Sequence, residues 1–165
     1  MEFFNAFPKI KYNGMMISDI SKRIDFIRRV KDNATVYQYH ILQDGQRPED
    51  VALQYYQDVK LFWIVLFLND IVDPFYGWLL TDSQLHTYVQ NKYGVENVFA
   101  VHHYETIEGS DLGIGIWVNF GTPFCEAVTN MAYEQEQNEA KRRIKVLRPV
   151  YVQQVVSEFI SELGQ

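Results

Sequence analysis

Residues 61–68 read Leu61-Phe62-Trp63-Ile64-Val65-Leu66-Phe67-Leu68, an unbroken apolar run that stops at Asn69-Asp70. It is far shorter than the ~20 residues needed to cross a bilayer, so the chain must hide it inside a folded core. By periodicity alone it is a buried strand or a buried helix. Leu and Phe outnumber β-branched residues, and the polar Asn69-Asp70 pair offers a stop, so the reading favours helix. Upstream, residues 36–42 are β-prone and Asp44-Gly45 signals a turn. Pro48 suits a first helical position, where its missing N–H is no loss, and Glu49 and Asp50 place negative charge at the positive end of the helix dipole. A helix through about Tyr56 follows. Downstream, Asp73-Pro74 imposes a stiff extended connection into Phe75-Tyr76-Gly77-Trp78. This stretch is built for packing and for presenting aromatic rings, with no catalytic group at its centre, and it points to a binding or assembly module.

The flanks add elements of both types. Phe3, Phe4 and Phe7 precede Pro8 in an arm over residues 1–17, whose Lys9-Ile10-Lys11-Tyr12 alternation ends at the turn dipeptide Asn13-Gly14. Ser18 or Asp19 can cap an amphipathic helix carrying Ile20, Ile24 and Ile27. Thr81 or Asp82 opens a helix with Leu85, Tyr88 and Val89 on one face, closed by Gly94. Residues 98–104 and 114–120 alternate as strands of a β-hairpin, and residues 134–141 read as helix, with Glu139 placed to support Arg143 four residues on. Residues 142–147 alternate charged and apolar as a strand. Pro149 then starts a C-terminal helix with an apolar stripe of Val152, Val155, Val156, Phe159, Ile160 and Leu163, ended by Gly164. The fold class expected is α+β.

Composition narrows the function. Aromatic residues make up 15% of 165 residues, a palette suited to packed cores and to the centres of protein interfaces. The formal net charge of −6 argues against nonspecific nucleic-acid binding, which needs a positive field. Cys125 is the only cysteine, so no intrachain disulfide forms and a reducing compartment is expected. The N-terminus lacks the pattern of a signal peptide. A soluble chain that does not span a membrane is expected.

The ionisable groups suggest chemistry only weakly. His102-His103 with Glu105 is the one histidine cluster, and neighbouring strand residues face opposite ways, so structural histidines and no metal site are expected. Cys125, beside Pro123 and Phe124, lacks a nucleophile motif. The glycine-rich residues 109–115 lack a phosphate-binding ending and read as a turn. Asp70 and Asp73 could form an acid/base pair, but helix termination and a turn before Pro74 account for both. No catalytic residue and no cofactor is expected. The cations Lys141, Arg142, Arg143, Lys145 and Arg148 are either a docking surface for an acidic partner or a solvated strand face. Of Phe75, Tyr76 and Trp78, at least two are expected in the core.

The order of elements over residues 36–80, with Gly45 in the first turn and Val51-Ala52 in the next helix, resembles a LysM module: strand, two helices and a return to the first strand. Arg47-Pro48-Glu49-Asp50-Val51-Ala52, Asn69-Asp70-Ile71-Val72-Asp73-Pro74-Phe75-Tyr76-Gly77-Trp78 and residues 138–149 together resemble the small LysM-like baseplate wedge proteins of contractile-tailed bacteriophages. That resemblance implies an arm and helix over residues 1–34, a LysM-like core over 35–95, and a β-hairpin with a strand-helix extension over 96–165. It implies a non-enzymatic virion protein of the tail baseplate, assembled in the host cytoplasm, that binds neighbouring wedge subunits and stabilises the baseplate ring under the sheath. Partners would be other wedge proteins, with a sheath-initiating subunit as a further candidate, in a hetero-oligomeric assembly without nucleic acid or membrane. Candidate partner-binding residues are Phe3, Phe4 and Phe7 in the arm; Arg47, Pro48, Asp73, Pro74, Phe75, Tyr76 and Trp78 in the loops; and Arg142, Arg143, Lys145 and Arg148. The alternative is a LysM-type module that binds peptidoglycan or N-acetylglucosamine polymers between residues 45–47 and 71–75. There Arg47-Pro48 replaces the usual small hydroxyl-bearing turn.

Overall fold

The computed structural model describes residues 7–19 and 35–163. Phe3, Phe4, Gly164 and the amphipathic helix expected after Asp19 lie outside the described residues. Over the described residues the fold is α+β, with helices and small antiparallel sheets. The chain divides into two compact units, one of residues up to Trp78 together with Arg143 onward, the other Leu79–Arg142.

The first unit begins with a hairpin, β1 (Lys9–Tyr12) and β2 (Met15–Ser18). Asn13 and Gly14 both take positive φ, 46° and 82°, as a two-residue turn between twisted strands requires. The arm therefore folds back on itself. β3 (Tyr37–Ile41) leads to α1 (Pro48–Tyr56), where Asp50 accepts from the Arg47 backbone N–H at 2.9 Å and closes the helix start. A single 3-10 turn, Val59–Leu61, joins it to α2 (Phe62–Leu68), so the apolar run is helical. Beyond the end of α2, Asp70 turns left-handed at φ 57°, and the Ile71 N–H donates back to the Leu66 carbonyl at 3.0 Å.

The strand that returns to β3 is β7 (Arg143–Leu147), antiparallel, with Tyr39 opposite Lys145 and Ile41 opposite Arg143. Ile144, Val146 and Leu147 are buried, and α5 (Pro149–Leu163) packs with Leu147. Phe159 is fully buried against Trp63 at 4.5 Å and Phe7 at 6.2 Å between ring centroids, the centre of a core shared with Leu68, Leu147 and Val155. Burying rings of this size gives each about 1.5–3 kcal/mol relative to exposure. The consecutive segments expected from the sequence are thus redistributed: the C-terminal strand and helix complete the first unit, because β7 supplies the only partner given to β3 among the described residues. No single helix among these residues is long and apolar enough to cross a membrane.

The second unit holds α3 (Asp82–Tyr93), capped by Thr81 and closed by Gly94 at φ 90°. β4 (Val101–Thr106), β5 (Trp117–Val118) and β6 (Cys125–Thr129) form a sheet in the order β5-β4-β6, followed by α4 (Asn130–Glu139). The expected hairpin is present, but β5 is only two residues long and β6 adds a third strand. Val98, expected in a strand, is buried with Leu80, Leu85 and Val89. Glu139 meets Arg142, three residues on, in place of Arg143.

Candidate partner interface

Two loops of the first unit are locked together by one side chain. Trp78 is buried, and its indole Nε1 donates to the Gln46 carbonyl at 2.7 Å. The Gln46 side chain accepts from the Gln43 N–H at 3.1 Å and meets His40 Nε2 at 3.0 Å, while His40 Nδ1 meets the Tyr55 hydroxyl at 3.0 Å. His40 is therefore satisfied at both nitrogens and serves as a structural crosslink.

The second loop, residues 69–78, is fixed from within. Asp73 Oδ1 accepts from the N–H groups of Phe75 at 2.9 Å and Tyr76 at 3.4 Å, and the Asp73 carbonyl accepts from the Gly77 N–H at 2.8 Å. A Cβ on Gly77 would lie 2.5 Å from that carbonyl oxygen, so the turn closes only around glycine. With its backbone pinned, the loop turns its apolar side chains outward: Val72 is 96% exposed, Phe75 79% and Tyr76 54%. Only Trp78 of the three aromatic residues is buried, against the expectation of at least two, because the tight turn at Asp73 aims Phe75 and Tyr76 away from the core. Asp73 serves the turn, as the sequence suggested, and Pro74 and Arg47 are exposed. Pro48 at the first position of α1, Phe7 edge-on to Phe159, and Trp78 are buried within the unit.

Asn69 ties the loop to the sheet. Its side-chain amide donates to the carbonyls of Val65 and Lys145, both at 2.8 Å, and its Oδ1 accepts from the Lys145 N–H at 2.7 Å. The carboxamide thus occupies the place of a neighbouring strand along β7. On the outer face of the β3–β7 pair, Arg143 stacks over the Tyr39 ring at 3.8 Å and Lys145 over Tyr37 at 4.7 Å, each reaching diagonally across the register. Arg148 caps the row, its Nε donating to the Tyr37 carbonyl at 3.4 Å. The cationic run therefore splits. Arg143, Lys145 and Arg148 line one edge of the first unit, whereas Arg142 belongs to the second unit and pairs with Glu139. Sequence reasoning missed Val72 as a surface anchor, Asn69 as the clasp, and Tyr37 and Tyr39 as partners of the cations; the alternation of Tyr37, Tyr39 and Ile41 was the available signal.

The histidine pair of the second unit departs from the expectation. A β-bulge between Val101 and His103 turns both imidazoles to one side, with their Nδ1 atoms 2.9 Å apart. His102 stacks on Tyr133 and His103 on Trp117, each at 4.1 Å. Among the described residues no group of three or more His, Cys, Asp or Glu could hold a metal ion. Nearby, buried Glu134 accepts from Lys92 at 2.6 Å and from the Tyr93 hydroxyl at 2.7 Å. Burial pushes the Glu134 carboxyl up, and the two donors together outweigh it, so the group is held below its ordinary value.

A family model described as base plate wedge protein 53 matches residues 2–112. The baseplate wedge protein gp53 of Enterobacteria phage T4 is 30% identical over 69 residues, a stretch spanning 42% of this chain and 35% of that relative. The family match covers well over half of the chain and includes both pinned loops. The protein belongs to the base plate wedge protein 53 family, a family of virion tail baseplate components.

Proposed function

We propose that this chain is a non-catalytic structural protein of the baseplate that binds neighbouring wedge subunits and stabilises the ring beneath the sheath. The observation that carries the reading is the pinned loop with Val72, Phe75 and Tyr76 turned outward. Apolar side chains exposed on a backbone already pinned favour a partner, since little backbone ordering entropy remains to be lost on binding. The row Arg143, Lys145 and Arg148 along β7 supplies a second contact suited to a carboxylate-bearing surface. The β3-α1-α2-β7 order is that of a LysM-like unit whose last strand comes after residues 79–142, and we read it so. Other wedge proteins are the partners this reading names, with a sheath-initiating subunit beside them. The glycan-binding alternative draws no support from the comparisons, which match a baseplate family.

The test is reconstitution of wedges from purified subunits with the unaltered chain and with a Val72→Ser/Phe75→Ser/Tyr76→Ser variant. The unaltered chain should co-sediment with the wedge and the variant should be lost from it. Equal incorporation of both, or saturable heat on titration with N-acetylglucosamine oligomers, would contradict the proposal.

A further inference from the structure

A second exposed apolar surface lies in the second unit, at residues that the sequence reading did not name as contacts. Residues 112–124 contain no ionisable side chain. Within them Ile114 is 73% exposed, Trp117 60% and Phe120 82%. The segment is pinned: Gly115 donates to the Thr106 carbonyl at 2.8 Å, Thr106 to the Ile116 carbonyl at 3.0 Å, and Ile116 to the buried Thr106 hydroxyl at 2.9 Å. Its far end is held by the Ile107 N–H on the Phe124 carbonyl at 2.9 Å. Trp117 stands on the face of β4 that carries His103 and Glu105, and Phe120 lies by Tyr104 on the other at 5.3 Å between centroids, so large apolar side chains reach water on both sides of the edge formed by β5 and its flanking turns, a surface suited to a partner.

The charge around this surface selects the occupant. Residues 93–140 hold eight Asp and Glu and no Lys or Arg. The second unit as a whole sets nine Asp and Glu against three Lys and Arg, a formal −6, whereas the remaining residues carry twelve of each. The whole net charge of the chain thus resides on the unit with the apolar strand edge. β4 places Glu105 opposite Trp117 on one side and opposite Glu126 on the other, a like-charged cross-strand pair beside an exposed indole. Exposed Glu108 and Asp111 stand at the turn that leads into the apolar segment. Two copies docked through this surface would bring acidic rims face to face. A partner with an apolar patch rimmed by Lys or Arg would bury the rings, place cations between Glu105 and Glu126, and set one over the Trp117 ring.

We infer that the segment of residues 112–124, β5 with its flanking turns, docks on a basic-rimmed apolar surface of another baseplate subunit, as a contact additional to the loop of residues 72–76. The inference rests on the reading of the chain as an assembly protein. The experiment uses the full chain and the purified wedge subunits of the same phage, as above, with three changes: Ile114→Ser/Phe120→Ser, Glu108→Gln/Asp111→Asn/Glu126→Gln, and raised salt. The apolar variant should lose at least about tenfold in affinity, in keeping with truncation of central anchors. The amide variant should bind several-fold more weakly than the unaltered chain at low salt and approach it at high salt, where the rim is screened. Wild-type affinity in both variants would overturn the inference while leaving the proposed function intact. Failure of the unaltered chain to join any wedge would overturn both. Concentration-dependent dimerisation of the chain alone, abolished by Phe120→Ser, would assign the surface to a second copy and overturn the inference as well.

Discussion

Asn69 offers the sharpest test of how the candidate interface is built, because one carboxamide makes three hydrogen bonds between residues 76 positions apart and within its own helix end. Replacing Asn69 with Ala removes all three and leaves the N–H and carbonyl of Lys145 without their partner along β7. Each such bond contributes about 0.5–1.5 kcal/mol net, and an amide left unsatisfied in a buried place costs more. The site is half-buried, so water can replace part of what is lost, and the sum comes to about 2–3 kcal/mol. The assay is urea unfolding followed by tryptophan fluorescence, since Trp63 and Trp78 both report on the first unit. With a urea dependence of about 2 kcal/mol per molar, the midpoint should fall by about 1 M. Asn69→Asp should cost at least as much at neutral pH, because it sets a carboxylate oxygen against the carbonyls of Val65 and Lys145. An Asn69→Ala chain within about 0.5 kcal/mol of the unaltered one would refute the claim that this side chain holds β7 in place.

Other perturbations separate core, loop and second unit. Phe159→Ala should cost about 3–5 kcal/mol, read as a fall in thermal stability, because the ring is fully buried between Trp63 and Phe7. Gly77→Ala should destabilise by about 1–3 kcal/mol and weaken wedge incorporation, since the new methyl meets the Asp73 carbonyl and opens the turn. Glu134→Gln should cost about 1–2 kcal/mol near neutral pH, a modest figure because the Lys92 partner is partly solvated. The carboxyl is lowered in the folded chain, so its contribution is complete above the unfolded value of 4.5 and fades as pH falls through the folded value. Unfolding curves of the two chains should therefore converge below about pH 4.5 and stay apart above it.

The sequence was most legible where local chemistry and tertiary structure agree. Pro48 with Glu49 and Asp50 opens α1, Thr81 and Gly94 bound α3, and Val152, Val155, Val156, Phe159 and Leu163 of the expected stripe pack on the core, all from patterns within one helix, while Ile160 lies at the stripe's exposed margin. The partnership of β3 with β7 was not legible, because nothing local in Tyr37–Ile41 names a strand about a hundred residues away. The same limit hid the role of Asn69: a polar residue after an apolar helix signals a stop, and only the return of Lys145 turns it into a clasp. The β-bulge before His103 defeated the alternation rule, since one extra residue reverses which way a side chain points. Composition favours core positions for at least two of Phe75, Tyr76 and Trp78, whereas the hydrogen-bonded turn at Asp73 sends Phe75 and Tyr76 outward.

The central claim is that this chain works by being built into a larger assembly through rigid apolar surfaces. A density map of the assembled baseplate at side-chain resolution tests it most directly. The account predicts Val72, Phe75 and Tyr76 buried against another subunit; the same residues facing solvent in the finished baseplate, or the chain absent from it, would contradict the account.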